Sequence, residues 1–141
     1  MNFALPKLNR MKLVIKPQAQ IKELNKILSK EFPFLKLQFY RSLNADTGLS
    51  YKAHRVPENL RLCDVLKIVK EGTIEIGAFK TVEEVEKEFQ SKHGLTVQVL
   101  RKSEVVWLET RQTDNLTLDQ QNAIGAEASR PIRVNRYTLF L

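Results

Sequence analysis

The sequence predicts an α+β protein: a duplicated strand, helix, strand, strand, helix unit with small mixed sheets, plus a C-terminal strand. Three observations predict it. Leu35-Lys36-Leu37-Gln38-Phe39-Tyr40-Arg41 reads against Leu95-Thr96-Val97-Gln98-Val99-Leu100-Arg101, and Asn59-Leu60-Arg61-Leu62 reads against Asn115-Leu116-Thr117-Leu118. Apolar residues also alternate at a strand's period of two in some segments and recur at a helix's period of 3.6 in others.

Each unit opens with a short alternating segment, Leu13 and Ile15 in the first and Ile74 and Ile76 in the second, suited to a strand with one buried face. Helices follow, with apolar positions Ile21, Leu24 and Leu28 in the first unit and Val82, Val85 and Phe89 in the second. Thr81 and Glu84 form a capping box at the start of the second of these, and Gly94 supplies a left-handed stop at its end. The next strands carry Leu35, Leu37 and Phe39, and Leu95, Val97 and Val99, on one face. A strand, helix, strand run favours a right-handed crossover, so parallel pairing within each unit is expected.

The chain then turns at Asn44 to Gly48 in the first unit and at Lys102-Ser103-Glu104 in the second. It returns as a third strand, Ser50 to Arg55 or Val105 to Arg111, which sets Tyr51 against Trp107 and Arg55 against Arg111. Leu62, Val65, Leu66 and Val69 predict an amphipathic helix ending at Gly72. Its counterpart opens on the capping box Thr117-Leu118-Asp119-Gln120, but Gln121 and Asn122 replace the apolar pair and Gly125 stops the run, so a short, exposed helix is expected. Ile132, Val134, Leu139 and Leu141 predict a last strand after Pro131, at a sheet edge because proline cannot donate to a ladder. The organisation is an N-terminal extension (1–10), two units (11–72 and 73–125) packed as one body, and a tail (126–141). A unit of about 60 residues is marginal on its own, so a shared core is expected.

The net charge of +7 is unevenly spread: residues 11–72 carry 12 Lys and Arg against 6 Asp and Glu, whereas residues 73–129 carry 6 against 10. Opposite halves permit attraction within the chain or between two copies. No apolar run approaches the roughly 20 residues of a membrane span, and residues 1–10 lack a secretory signal, so a cytoplasmic protein is expected. The single cysteine, Cys63, excludes an internal disulfide and a cysteine-rich zinc site.

The stretch from Thr81-Val82-Glu83-Glu84 through Val99, with Trp107-Leu108-Glu109-Thr110 and Thr113 to Leu118, resembles a group of small uncharacterised bacterial proteins that carry this unit in tandem. The resemblance covers most of residues 11–125. It implies a compact α+β fold in a bacterial cytoplasm and brings no activity or catalytic residue with it. Glu104-Val105-Val106 is more apolar than the polar hairpin tips of that group.

No set of residues reads as catalytic. Cys63 sits beside Leu62 and Leu66 and reads as structural; His54 and His93 have no partner at ligand spacing. Glu83, Glu84, Glu86 and Glu88 spread around a helix and read as a solvated face. No glycine belongs to a phosphate-cradling loop and no nucleophile elbow appears, so neither cofactor nor metal is expected. The polar positions that recur are Gln38 with Gln98, Arg41 with Arg101, Arg55 with Arg111, and Asn59 with Asn115. Arg41, Arg55, Arg101, Arg111, Tyr51 and Trp107 are the candidate partner-binding residues, with ion pairs to neighbouring glutamates as the competing reading for the arginines. The expected function is non-catalytic: a protein-interaction or self-association module. The alternative is nucleic-acid binding through the basic first unit and Arg130, Arg133 and Arg136.

Overall fold

The computed structural model describes residues 10–41 and 54–130. The predicted strand within residues 131–141, the turn at 44–48, Tyr51 and most of the first unit's third strand lie outside them. The described chain runs β1 (Arg10–Ile15), α1 (Ile21–Glu31), β2 (Leu35–Tyr40), α2 (Leu62–Val65), β3 (Gly72–Gly77), α3 (Val82–His93), β4 (Thr96–Ser103), β5 (Val106–Glu109) and α4 (Leu118–Ala128), with a 3-10 turn at Arg111–Thr113. The α+β class holds.

Strand pairing departs from expectation. β1 pairs antiparallel with β3, and a second sheet of order β2-β4-β5 is also antiparallel throughout. Among the described residues no strand pairs in parallel with the strand that precedes it across a helix. A crossover returns the chain to the sheet it left, whereas α1 carries it from β1 in one sheet to β2 in the other, and α3 does the same from β3 to β4. β1 and β2 therefore find their ladder partners, β3 and β4, in the other half of the chain, while β5 pairs with its own neighbour β4.

The pairing is centred on matched residues: Leu13 lies opposite Ile74, and Gln38 opposite Gln98. The loops agree as well. The Ile21 and Val82 amides donate to the Leu60 and Leu116 carbonyls, both at 3.0 Å, and the Leu62 and Leu118 amides donate to the Ala19 and Lys80 carbonyls, both at 2.9 Å. Cys63 to Pro17 and Asp119 to Ala78 repeat the relation again. Positions 17 to 27 and 78 to 88 are thus structurally equivalent.

The core is shared. Leu13, Ile15, Ile74 and Ile76 are buried on one face of the first sheet, and Leu35, Leu37, Phe39, Val97 and Val99 on one face of the second. Ile21, Leu24 and Leu28 of α1 and Val82, Val85 and Phe89 of α3 join them. Phe39 from the first half meets Phe89 from the second edge to face at 5.8 Å. The capping boxes at Thr81 and Thr117 and the left-handed Gly94, at φ 67°, are as expected.

The later helices correct the prediction. α2 ends at Val65 and Leu66 is extended (φ −139°, ψ 130°), so the helix does not reach Gly72, which opens β3 instead. An extended chain covers about 3.3 Å per residue against 1.5 Å in a helix, and the link must reach Gly72 opposite Ile15. α4 is longer than expected, and Gly125 lies inside it. Gln121 is fully buried rather than exposed.

Candidate functional site

The second face of the β2-β4-β5 sheet gathers polar residues around the Gln38 and Gln98 pair. Tyr40 ends β2 with its ring buried, and its hydroxyl hydrogen-bonds to Gln98 at 2.9 Å. Turned so that its oxygen meets the Arg111 guanidinium, at 2.6 Å from Nη2, the Gln98 amide donates to the Tyr40 oxygen and satisfies both of its ends. Arg55, bridged to Tyr40 through the backbone, hydrogen-bonds to the same phenol. Burial nevertheless raises the Tyr40 pKa above its ordinary value, which keeps the phenol neutral within these hydrogen bonds. Arg111 lies 3.9 Å from Glu109, the kind of ion pair the sequence suggested.

The other candidates go elsewhere. Arg41 is exposed and donates to the Asp64 carbonyl at 2.9 Å. Arg101 donates to Gln121 Oε1 at 2.8 Å, and shares with Glu109, Arg111 and Gln112 the wall of a hollow of about 350 Å³. Trp107 is half-buried with the Lys36 ammonium 4.9 Å over its ring. The structure therefore brings Arg55 onto the Tyr40 phenol and Arg111 onto Gln98 beside it, draws Arg101 toward Arg111, and leaves Arg41 with α2.

The acidic helix face is more engaged than a solvated row. Glu83 pairs with Lys87, and Glu84 caps the helix. Glu86 accepts from the Val99 amide at 2.9 Å, where β4 continues past the end of β5, and Thr110 donates to the Val99 carbonyl. Burial raises the Glu86 carboxyl to about 7, although the Val99 amide favours its charged form. Asn25 plays a similar part in α1, bonding both the amide and carbonyl of Leu37. Cys63 is exposed, and His93 is buried with Nδ1 donating to the Lys70 carbonyl. Among the described residues no three His, Cys, Asp or Glu side chains converge as a metal site, and no helix is long and apolar enough to cross a membrane.

A groove of about 500 Å³ lies between β1 and the N-terminal half of α1, and sequence reading missed it. Val14, Ala19, Leu24 and Ile27 supply apolar surface, and Lys12, Lys16 and Arg61 surround it, with Glu23 the one acid among its lining residues. Val14 is 52% and Ile27 37% exposed. The equivalent place in the second half is bridged by a lysine. There Lys80, at the position of Ala19, donates to the Glu75 carbonyl at 2.7 Å and to Glu88 at 2.8 Å, and those two residues stand where Val14 and Ile27 do. Burial would raise the Glu88 carboxyl, but hydrogen bonds from Lys80 and Lys92 hold it below its ordinary range. The signal was present in the aligned positions: Ala against Lys, and Val and Ile against two glutamates.

No family model matches this chain, and no curated protein or solved structure matches it either.

Proposed function

We propose that this chain is a non-catalytic protein-interaction module that docks a partner protein in the groove between β1 and α1. One observation carries the reading: the same site is filled by Lys80 in one half and left open, with an apolar lining, in the other. An exposed apolar groove edged by charge is the form of surface that a partner's side chains fill. The Tyr40, Arg55, Gln98 and Arg111 cluster supports the same non-catalytic reading, because its polar groups are engaged in tying β2 to β4 and its phenol is neutral.

The test compares the wild-type chain with Ile27→Glu as bait in cell extract, with and without nuclease. The expected result is a protein retained by the wild type after nuclease treatment and lost from the variant. Retention abolished by nuclease would transfer the reading to nucleic acid and the basic first half. Retention of nothing that depends on Ile27 would overturn the proposal.

A further inference from the structure

We infer that the groove takes an acidic, extended segment of the partner, added as a third strand along the open edge of β1; this rests on the interaction-module reading above. Among the described residues β1 pairs with β3 alone, so one row of its backbone amides and carbonyls faces no strand. Such an edge is a template for strand addition, in which the backbone provides affinity and alternate side chains provide selectivity. β1 shows how those side chains would divide. Leu13 and Ile15 point into the core, while Lys12 and Val14 line the groove from the outer face together with Lys16.

A strand laid beside β1 has the same alternation. Its inward residues meet Leu24 and Ile27 of α1, which calls for apolar side chains. Its outward residues stand beside Lys12, Val14 and Lys16, with Arg61 at the rim, and the two ammonium groups call for carboxylates opposite them. Glu23 alone opposes this sign. The chain's own C-terminal segment carries Arg133 and Arg136 and no acid, so it has the wrong charge for the site. The second half shows what a ligand-free version looks like: Lys80 occupies the site from within and Glu88 replaces the apolar wall.

The probe is a fluorescent peptide of alternating valine and glutamate, long enough to match the six residues of β1, read by anisotropy with the full chain. Peptides of alternating valine and lysine, and of valine and glutamate in two blocks, are the controls. The alternating acidic peptide should bind, weaken as salt rises, and slow amide exchange in β1. Ile27→Glu, and separately Lys12→Glu with Lys16→Glu, should each weaken it by about tenfold or more. These positions are exposed or at the groove rim, and unchanged thermal midpoints verify that the variants fold. Ala19→Lys imports the plug of the other half and should abolish binding. Absence of binding, equal binding of the lysine or block peptides, or indifference to all three variants would overturn the inference. So would a doubling of mass by light scattering that Ile27→Glu abolishes, since the occupant would then be a second copy. If extract still yields a protein whose retention depends on Ile27 while the peptide fails, the acidic strand falls and the module reading stands; if both fail, both fall.

Discussion

Glu86 shows how much one side chain depends on what surrounds it. It accepts the Val99 amide at a point where the ladder has lost its neighbouring strand, and burial raises its carboxyl to about 7 from an ordinary 4.5. The fold keeps a proton that the unfolded chain releases near 4.5, so the stability this group contributes is full below that value and is lost as pH rises to about 7. The thermal midpoint of the wild type should fall across that interval. Glu86→Gln, which keeps the acceptor and removes the charge, should show a flatter profile; parallel profiles would contradict the assignment. At the β4-β5 turn, Glu104 holds φ at 56°, a left-handed conformation that costs an L-residue about 1–2 kcal/mol. Glu104→Gly should raise stability by about 0.5 kcal/mol once the greater freedom of the unfolded glycine is subtracted, read as a higher denaturant midpoint with an unchanged slope. Neither environment can be read from the residue alone. A glutamate on a helix gives no sign that an orphaned amide lies above it, and the turn was located in sequence without its handedness.

At the scale of the element, α4 illustrates polar residues replacing an apolar face without exposing it. Gln121 accepts from Arg101 and donates to the Thr113 carbonyl and hydroxyl, while Asn122 accepts from the Phe34 amide at 2.9 Å. With those bonds made, burial of the amides is tolerated and the helix continues. Gly125 belongs to the same contact: a Cβ there would lie 2.7 Å from Phe34 Cβ and 3.1 Å from Arg101 Cγ. Alanine is the better helix former by about 1 kcal/mol, but overpacking against a Cβ costs about 1–3 kcal/mol. Gly125→Ala should therefore lower the denaturation midpoint, and a rise would mean that the helix stands further from Phe34. The capping boxes, the Gly94 stop and the apolar faces of α1 and α3 were all legible, because each depends on residues within one or two turns. Where α2 ends and how far α4 runs were not, because those limits are set by Gly72 opposite Ile15 and by Phe34 beneath Gly125.

Across the whole molecule, the two halves depend on each other for their sheets, and only the β4-β5 hairpin pairs within one half. β1 and β2 are paired by β3 and β4, and Phe39 of one half packs on Phe89 of the other. Residues 1–70 expressed alone should show no cooperative thermal transition, and mixing with residues 71–141 should restore one. Cooperative unfolding of either piece by itself would contradict the shared core. The opposite charges of the halves suit this mutual dependence. They also leave the open groove, with Lys12, Lys16 and Arg61, on the basic half.

By itself the sequence determined the α+β class and the order of most of the described elements. These follow from local periodicity and short capping signals. Only the tertiary structure decided which strands pair, since period and burial are the same for a strand beside its neighbour in sequence or beside its counterpart in the other half. It alone decided that Arg55 reaches Tyr40 and Arg111 reaches Gln98, and that Lys80 bridges Glu75 and Glu88 where the other half has a groove. Those outcomes depend on side chains that come within bonding distance only after the halves have joined.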